Sequence, residues 1–327
     1  MAEQNTAPEY RRLGTSGLAV SPAGLGCNNL GRAGSVTADP AAATAVVHAA
    51  LDAGITLFDT ADIYGAPPGR SEELLGAALG SHRSEVVVAT KFGMDAQGAN
   101  GPDFGARGSR RYIRQAVESS LRRLQTDWID LYQLHRPDPH TPLEETLAAL
   151  DDLVTAGKVR YLGHSNFAGW QLADAAWTAQ STSRTPFISA QNQYSLLHRD
   201  PERELIPAAE AFGVGILPFF PLANGLLTGK YTQDHAPSDS RLAMFKPALL
   251  ETAPWETLQA LQSFADQRGI TMVHVAFGWL LAQPQVACVI AGASTPEQVR
   301  ANADAARSWT PSEDDLATLD AILPPPM

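Results

Sequence analysis

The chain has only two cysteines, Cys27 and Cys288, too few for a disulfide framework and in keeping with a reducing compartment. No run of about 18 uninterrupted apolar residues occurs, so no membrane-spanning helix is expected. Charge is sparse and tilted to one side: 18% of the 327 residues are charged, and the net charge is -11. That balance excludes non-specific nucleic-acid binding, which needs a basic surface. Low-complexity stretches, Gly/Ser linkers and breaks in composition are also missing, and this points to one domain. Residues 1–9 are polar and lack an apolar signal core, so they are expected to be a disordered lead to a domain over 10–327. With 44% hydrophobic residues, the expectation is a well-buried cytoplasmic enzyme with no membrane, nucleic-acid or obligate protein partner.

What is present is alternation. The runs 10–13 and 18–21 flank Gly14-Thr15-Ser16-Gly17 and predict a β-hairpin. Strands are then expected at 23–26, 55–58, 86–90, 129–134, 159–163, 187–193, 214–218 and 286–290. Helices are expected at 39–53, 71–80, 109–125, 143–156, 169–180, 201–211, 255–267, 271–282, 296–306 and 312–322. Eight strands followed by helices over roughly 290 residues predict an α/β fold of the (β/α)8 TIM-barrel kind, since a doubly wound sheet normally closes with fewer. The stretch 219–253 is far longer than an ordinary strand-to-helix connection, and 222–253 within it reads as a lid.

Chemistry gathers at the strand ends. Strand 55–58 turns polar at Asp59, and Tyr64 follows five residues later. Strand 86–90 ends in Lys91 and strand 129–134 ends in His135. A phenol with a pKa near ~10 needs a neighbouring cation to act as an acid near neutrality, and Lys91 is one. Each residue alone also fits a structural role, such as a turn cap or a solvated strand end. In order and at successive strand ends, the four form a proton-transfer constellation. Two motifs mislead. Gly24-Leu25-Gly26 lacks the third glycine and the following helix of a dinucleotide fingerprint, and Gly225 to Lys230 is one residue short of a phosphate loop. His135, Asp138 and His140 share no helix face, so no metal site is expected.

Leu57-Phe58-Asp59-Thr60-Ala61 through Tyr64-Gly65 and Ser71-Glu72, with Lys91 and His135, resembles the aldo-keto reductase family over residues 10 to 323. The resemblance implies a (β/α)8 barrel closed at the bottom by the hairpin. It implies reduction of an aldehyde or ketone by hydride from NADPH, with NADH weaker. Tyr64 would be the general acid, Lys91 held by Asp59 would lower its pKa, and His135 would orient the carbonyl. Ser165, Asn166 and Gln191 match positions that bind the nicotinamide carboxamide, and Phe219 the ring that stacks on it. Leu222, Gly225, Leu227 and Lys230 match the pyrophosphate loop. Gly292, Ser294, Thr295, Gln298 and Asn302 match the adenosine-phosphate site at a helix start. Cys27, Asn28, Asn29, Ile63, Phe92 and Arg136 would line a pocket polar enough for oxygenated, sugar-like carbonyls. Family members that serve as cofactor-binding regulatory subunits of membrane channels supply the alternative, a sensor with little turnover.

Overall fold

A strand covered by helices outside and by other strands' side chains inside must be apolar on both faces, and these strands are. In the computed structural model, which describes residues 10–237, 242 and 246–326, eight parallel strands form one curled sheet. They are β3 (Ala23–Gly26), β4 (Leu57–Asp59), β5 (Val87–Phe92), β6 (Ile129–Leu134), β7 (Val159–Ser165), β8 (Phe187–Gln191), β9 (Gly215–Ile216) and β10 (Val289–Gly292). The sheet runs β10-β3-β4-β5-β6-β7-β8-β9. Its two ends meet at a parallel bridge between Ile216 and Val286. There the Ile216 N–H donates to Gln285 and the Ala287 N–H donates to Ile216. The barrel is closed, and the fold is the single-domain (β/α)8 barrel expected. The lead at 1–9 lies outside the described residues, as do 238–241 and 243–245 of the long connection.

The hairpin is real and sits where the resemblance placed it. Strands β1 (Arg11–Arg12) and β2 (Ala19–Val20) pair antiparallel. Leu13 and Val20 pack with Leu57, Ala89, Leu131, Leu217 and Cys288, the inward-facing floor of the barrel. Gly14 makes the turn with φ of 59°, and a Cβ there would lie 2.2 Å from the Gly213 carbonyl oxygen. Only glycine fits both the backbone and the approach.

The helices that wrap the sheet are α1 (Pro40–Asp52), α2 (Arg70–Leu79), α3 (Arg110–Leu124), α4 (Leu143–Thr155) and α5 (Gly169–Ser181). After them come α6 (Leu205–Phe212), α7 (Trp255–Gln267), α8 (Met272–Leu281), α9 (Pro296–Ala305) and α10 (Glu313–Ile322). Asp39 caps α1 by accepting from the Ala42 N–H, with Pro40 in the first turn, as the sequence predicts. Ser109 caps α3 in the same way. The expected helix at 201–211 is shorter: Asp200–Glu202 is a separate 3-10 turn, and Glu204 departs from helical geometry before α6 begins.

Candidate active site

Alternation along parallel strands decides which side chains enter the barrel. Leu57, Ala89 and Leu131 belong to the inner floor, so Asp59, Lys91 and Gln133, two residues on, form the next layer towards the C-terminal rim. That end is where a (β/α)8 barrel carries its chemistry. Lys91 is fully buried; its Nζ donates to Asp59 Oδ2 at 2.7 Å and to the Thr60 carbonyl at 2.8 Å. The other Asp59 oxygen accepts from Gln191 Nε2 at 2.8 Å and from Gln133 Nε2 at 3.3 Å. Tyr64, half-buried on the loop after β4, places its ring 5.0 Å from Lys91 Nζ and edge-on to the His135 ring at 6.0 Å. All four residues singled out in the sequence converge.

Their protonation follows from this setting. Burial raises the Tyr64 phenol above its ordinary value. The charge of Lys91 opposes that, Asp59 adds to it, and contacts with Lys91 and Asn28 pull it back. Lys91 pulls in the direction expected of it, and burial outweighs that pull, so Tyr64 is protonated at neutral pH. For Lys91, burial alone would lower the pKa, but Asp59 and then Tyr64 outweigh it and hold the ammonium above its ordinary value. Burial, then the charges of Lys91 and Arg136, hold His135 well below its usual value, so it is a neutral imidazole. Its Nδ1 is buried with no hydrogen-bond partner.

The expected pocket residues separate into two groups. Asn28 and Ile63 are half-buried and Arg136 is exposed, all beside the tetrad in sequence or contact. Asn28 also accepts from Arg32. Asn29 turns away and donates to the Ala293 carbonyl at 3.4 Å, tying the loop after β3 to the end of β10. Phe92 points outward, because Lys91 points inward; it is fully buried and stacks on Tyr132 with ring centroids 4.7 Å apart. Cys27 is likewise buried in the layer between sheet and helices, where burial raises its thiol pKa. Neither offers a side chain to the open rim.

On the cofactor side, the polar side chains are already braced against each other. Ser165 Oγ donates to the Gln191 carbonyl at 2.7 Å, and Asn166 Nδ2 donates to Ser165 Oγ and to the His135 carbonyl. Among the described residues nothing donates to the amide oxygens of Asn166 and Gln191, and they are not sealed from solvent. Phe219 is half-buried, edge-on to Phe220, and borders a depression of about 330 Å³ shared with Asn166, Asn192 and Glu204. That depression adjoins the expected nicotinamide positions rather than Tyr64. Leu222 packs partly buried, Leu227 is fully in the core, Gly225 takes φ of 110°, and Lys230 is exposed with Nζ 5.1 Å from the Tyr231 ring centroid.

The start of α9 is capped from within. Thr295 accepts from the Gln298 N–H, and Gln298 Oε1 accepts from the Ser294 N–H at 2.8 Å. Gly292 is exposed at the end of β10 and Asn302 is half-buried two turns along α9. Arg300, one turn into α9, pairs with exposed Glu297 at 3.5 Å. Among the described residues no group of three metal-ligating side chains occurs, and no helix is long and apolar enough to cross a membrane.

Sequence reasoning missed Gln133. Its signal was available, since it stands two residues before His135 and shares the inward parity of Leu131. A polar residue on the inner face of a barrel strand has to bond to something in the interior, and here it is Asp59.

A closed parallel barrel with a buried lysine–carboxylate pair behind a phenol and a neutral imidazole defines the class of aldo-keto reductase barrels. The chain belongs to the aldo/keto reductase family, whose family model matches residues 22–324. It is 35% identical over 325 residues to an L-glyceraldehyde 3-phosphate reductase of Escherichia coli O157:H7, covering 95% of this chain and 91% of that protein. It is 36% identical over 314 residues to a versiconal hemiacetal acetate reductase of Aspergillus parasiticus, covering 89% and 90%. A probable voltage-gated potassium channel subunit beta of Oryza sativa subsp. japonica is 35% identical over 308 residues, covering 90% of each. Family and relatives together make this chain an oxidoreductase of carbonyl compounds.

Proposed function

We propose that the chain reduces an aldehyde or ketone to an alcohol with NADPH, Tyr64 being the general acid. The observation that carries the reading is the fully buried Lys91, bonded to Asp59 directly behind the Tyr64 ring. A bound nicotinamide supplies the hydride. Tyr64, held protonated by burial, donates its proton to the carbonyl oxygen, and the nearby ammonium then stabilises the phenolate left behind. Asp59 keeps that ammonium in place, and the two glutamine amides keep Asp59 in place. Neutral His135 offers a hydrogen bond to the carbonyl without competing as a charge.

The residues fit such a cofactor. The unused amide oxygens of Asn166 and Gln191 would accept from its carboxamide, Phe219 would offer a flat apolar face, and the amides at the start of α9 would take the adenosine phosphate. Asn28 and exposed Arg136 favour polar, oxygenated carbonyls, and the similarity to a reductase of a phosphorylated sugar aldehyde supports that class. The chemistry calls for no partner protein and suits the cytoplasm. The test is a panel of carbonyls with NADPH, following its consumption. Tyr64→Phe should cost roughly 10²–10⁴-fold in kcat while leaving the cofactor Kd unchanged. A loss of only a few-fold removes Tyr64 from the role. A second reading, a cofactor-holding sensor subunit, is supported by the resemblance to the rice channel subunit. Absence of turnover of 4-nitrobenzaldehyde and of the rest of the panel, with NADPH still bound, would favour it.

A further inference from the structure

Behind the tetrad lies a second buried polar cluster that the reaction as described does not use. Asp62, two residues before Tyr64, is fully buried, as is Glu72 of α2. The Asp62 N–H donates to the Lys91 carbonyl at 3.1 Å, extending the β4–β5 ladder past the last strand residue. Its Oδ2 accepts from Asn100 Nδ2 at 2.7 Å. Asn100 comes from the glycine-rich loop after β5, at a turn closed by the Gly101 N–H donating to the Gly98 carbonyl. Gly101 has φ of 89°, a conformation that lets the turn aim Asn100 inward. Asn100 is 4% exposed, and it also meets the Tyr112 hydroxyl and accepts from Arg123 of α3.

We propose that Asp62 is a positioning residue for Tyr64, clamping the loop that carries the phenol, through Asn100, to the loop that follows Lys91. The proposal rests on the reading of Tyr64 as the acid. The spacing leaves little freedom: a link at Asp62 acts two residues from the reacting hydroxyl, and a misplacement of about 1 Å can cost about 10²-fold in rate.

The charges in the cluster define the form the clamp takes. Two carboxylates face one guanidinium. Glu72 takes it, accepting from Arg123 Nε at 2.6 Å and from the Thr90 hydroxyl at 2.6 Å on its other oxygen. Asp62 has the Asn100 amide on one oxygen and no donor on the other. Burial, then the charge of Glu72, raise the Asp62 carboxyl well above the usual range, against the weaker pull of Asn100, Arg123 and Lys91. The remaining groups facing it are the phenols of Tyr112 and Tyr132, which bring no charge at neutral pH. The cluster thus favours the neutral form of Asp62, and Oδ1 is the oxygen left without a partner.

The test uses the full chain with 4-nitrobenzaldehyde and NADPH, and amide hydrogen exchange over residues 61–65. Asp62→Ala and Asn100→Ala should each lower kcat about tenfold or more, leave the NADPH Kd unchanged, and speed exchange in that loop. The double alanine variant should be no worse than the poorer single, since both break one link. Asp62→Asn, a neutral side chain of the same shape, should restore most of the kcat and the slow exchange. Should Asp62→Ala not fold, Asn100→Ala carries the same test. Full kcat in the alanine variants overturns the proposal, as does a loss of kcat with unchanged loop exchange. An Asp62→Asn variant as slow as Asp62→Ala overturns the neutral clamp. If Tyr64→Phe retains activity, the acid assignment fails, while the exchange data still report whether the clamp exists.

Discussion

Lys91 shows how much one side chain is asked to do. It has no exposed surface, and its charge is met by one carboxylate oxygen, one backbone carbonyl and the nearby phenol. Removing it leaves Asp59 buried against amides alone, and losing one partner of a buried ion pair costs about 3–5 kcal/mol. Lys91→Met should therefore lose both turnover and stability, and any residual activity should show a changed pH dependence. Urea unfolding and a pH–rate profile measure the two effects. A variant with wild-type rate and profile would make the lysine a structural strand end. The tetrad was legible in the sequence because Asp59, Lys91 and His135 each end an apolar run and Tyr64 stands in the loop behind the first, a pattern that survives any small error in boundaries. Gln133 was harder to read, since it lies inside a run and its one signal is its parity with Leu131 and His135. The same parity sends Phe92 outward, away from the pocket it was expected to line.

At the scale of an element, the start of α9 is where the proposed preference for NADPH would be set. Its first amides are held by side chains of its own first turn, Thr295 and Gln298. An incoming phosphate must displace the Gln298 oxygen from the Ser294 N–H, so this loose cap doubles as a place-holder. With Arg300 turned to Glu297, the contacts that the first turn of α9 offers are neutral. They are weaker than the ~1.5–3 kcal/mol of charged ones, so NADPH should bind roughly ten- to a hundredfold tighter than NADH. Fluorescence titration with each cofactor measures this. Gln298→Glu should erase the preference by setting a carboxylate against the phosphate, and equal loss for both cofactors would place the phosphate elsewhere. Element boundaries were less legible than element order. The last strand was expected at 286–290, yet β10 spans Val289–Gly292, where it pairs with β3. Val286 and Ala287 serve instead to close the ring against Ile216, a contact between residues 70 apart in the chain.

The whole molecule responds to acid through histidines that cannot accept a proton while folded. His164 on β7 is fully buried, stacked on Phe167 with ring centroids 4.3 Å apart, and both ring nitrogens lack partners. Burial lowers its pKa from 6.5 to about 3. Below pH about 6.5 the unfolded chain takes up a proton that the folded chain refuses, so stability falls with pH until about 3. The slope reaches ~1.4 kcal/mol per pH unit over that window. His135 acts in the same direction. His164→Phe, which keeps the stack on Phe167, should flatten the fall in Tm between about pH 6.5 and 4.5 in calorimetry. An unchanged slope would show that other groups set the acid limit.

The ring of strands is not equally strong all the way round. β9 has two residues, paired with β8 at only two positions, while its other edge holds the bridge at Ile216. A hoop gives way at its narrowest stave. Three residues beyond that stave stands Phe219, held to the neighbouring segment by a lone bridge to Gln193 and by its N–H donating to the Asn192 carbonyl. The aromatic face proposed for the nicotinamide thus hangs where the regular ladder has given way to single ties, while the tetrad is carried by the longer-paired staves β4 to β6.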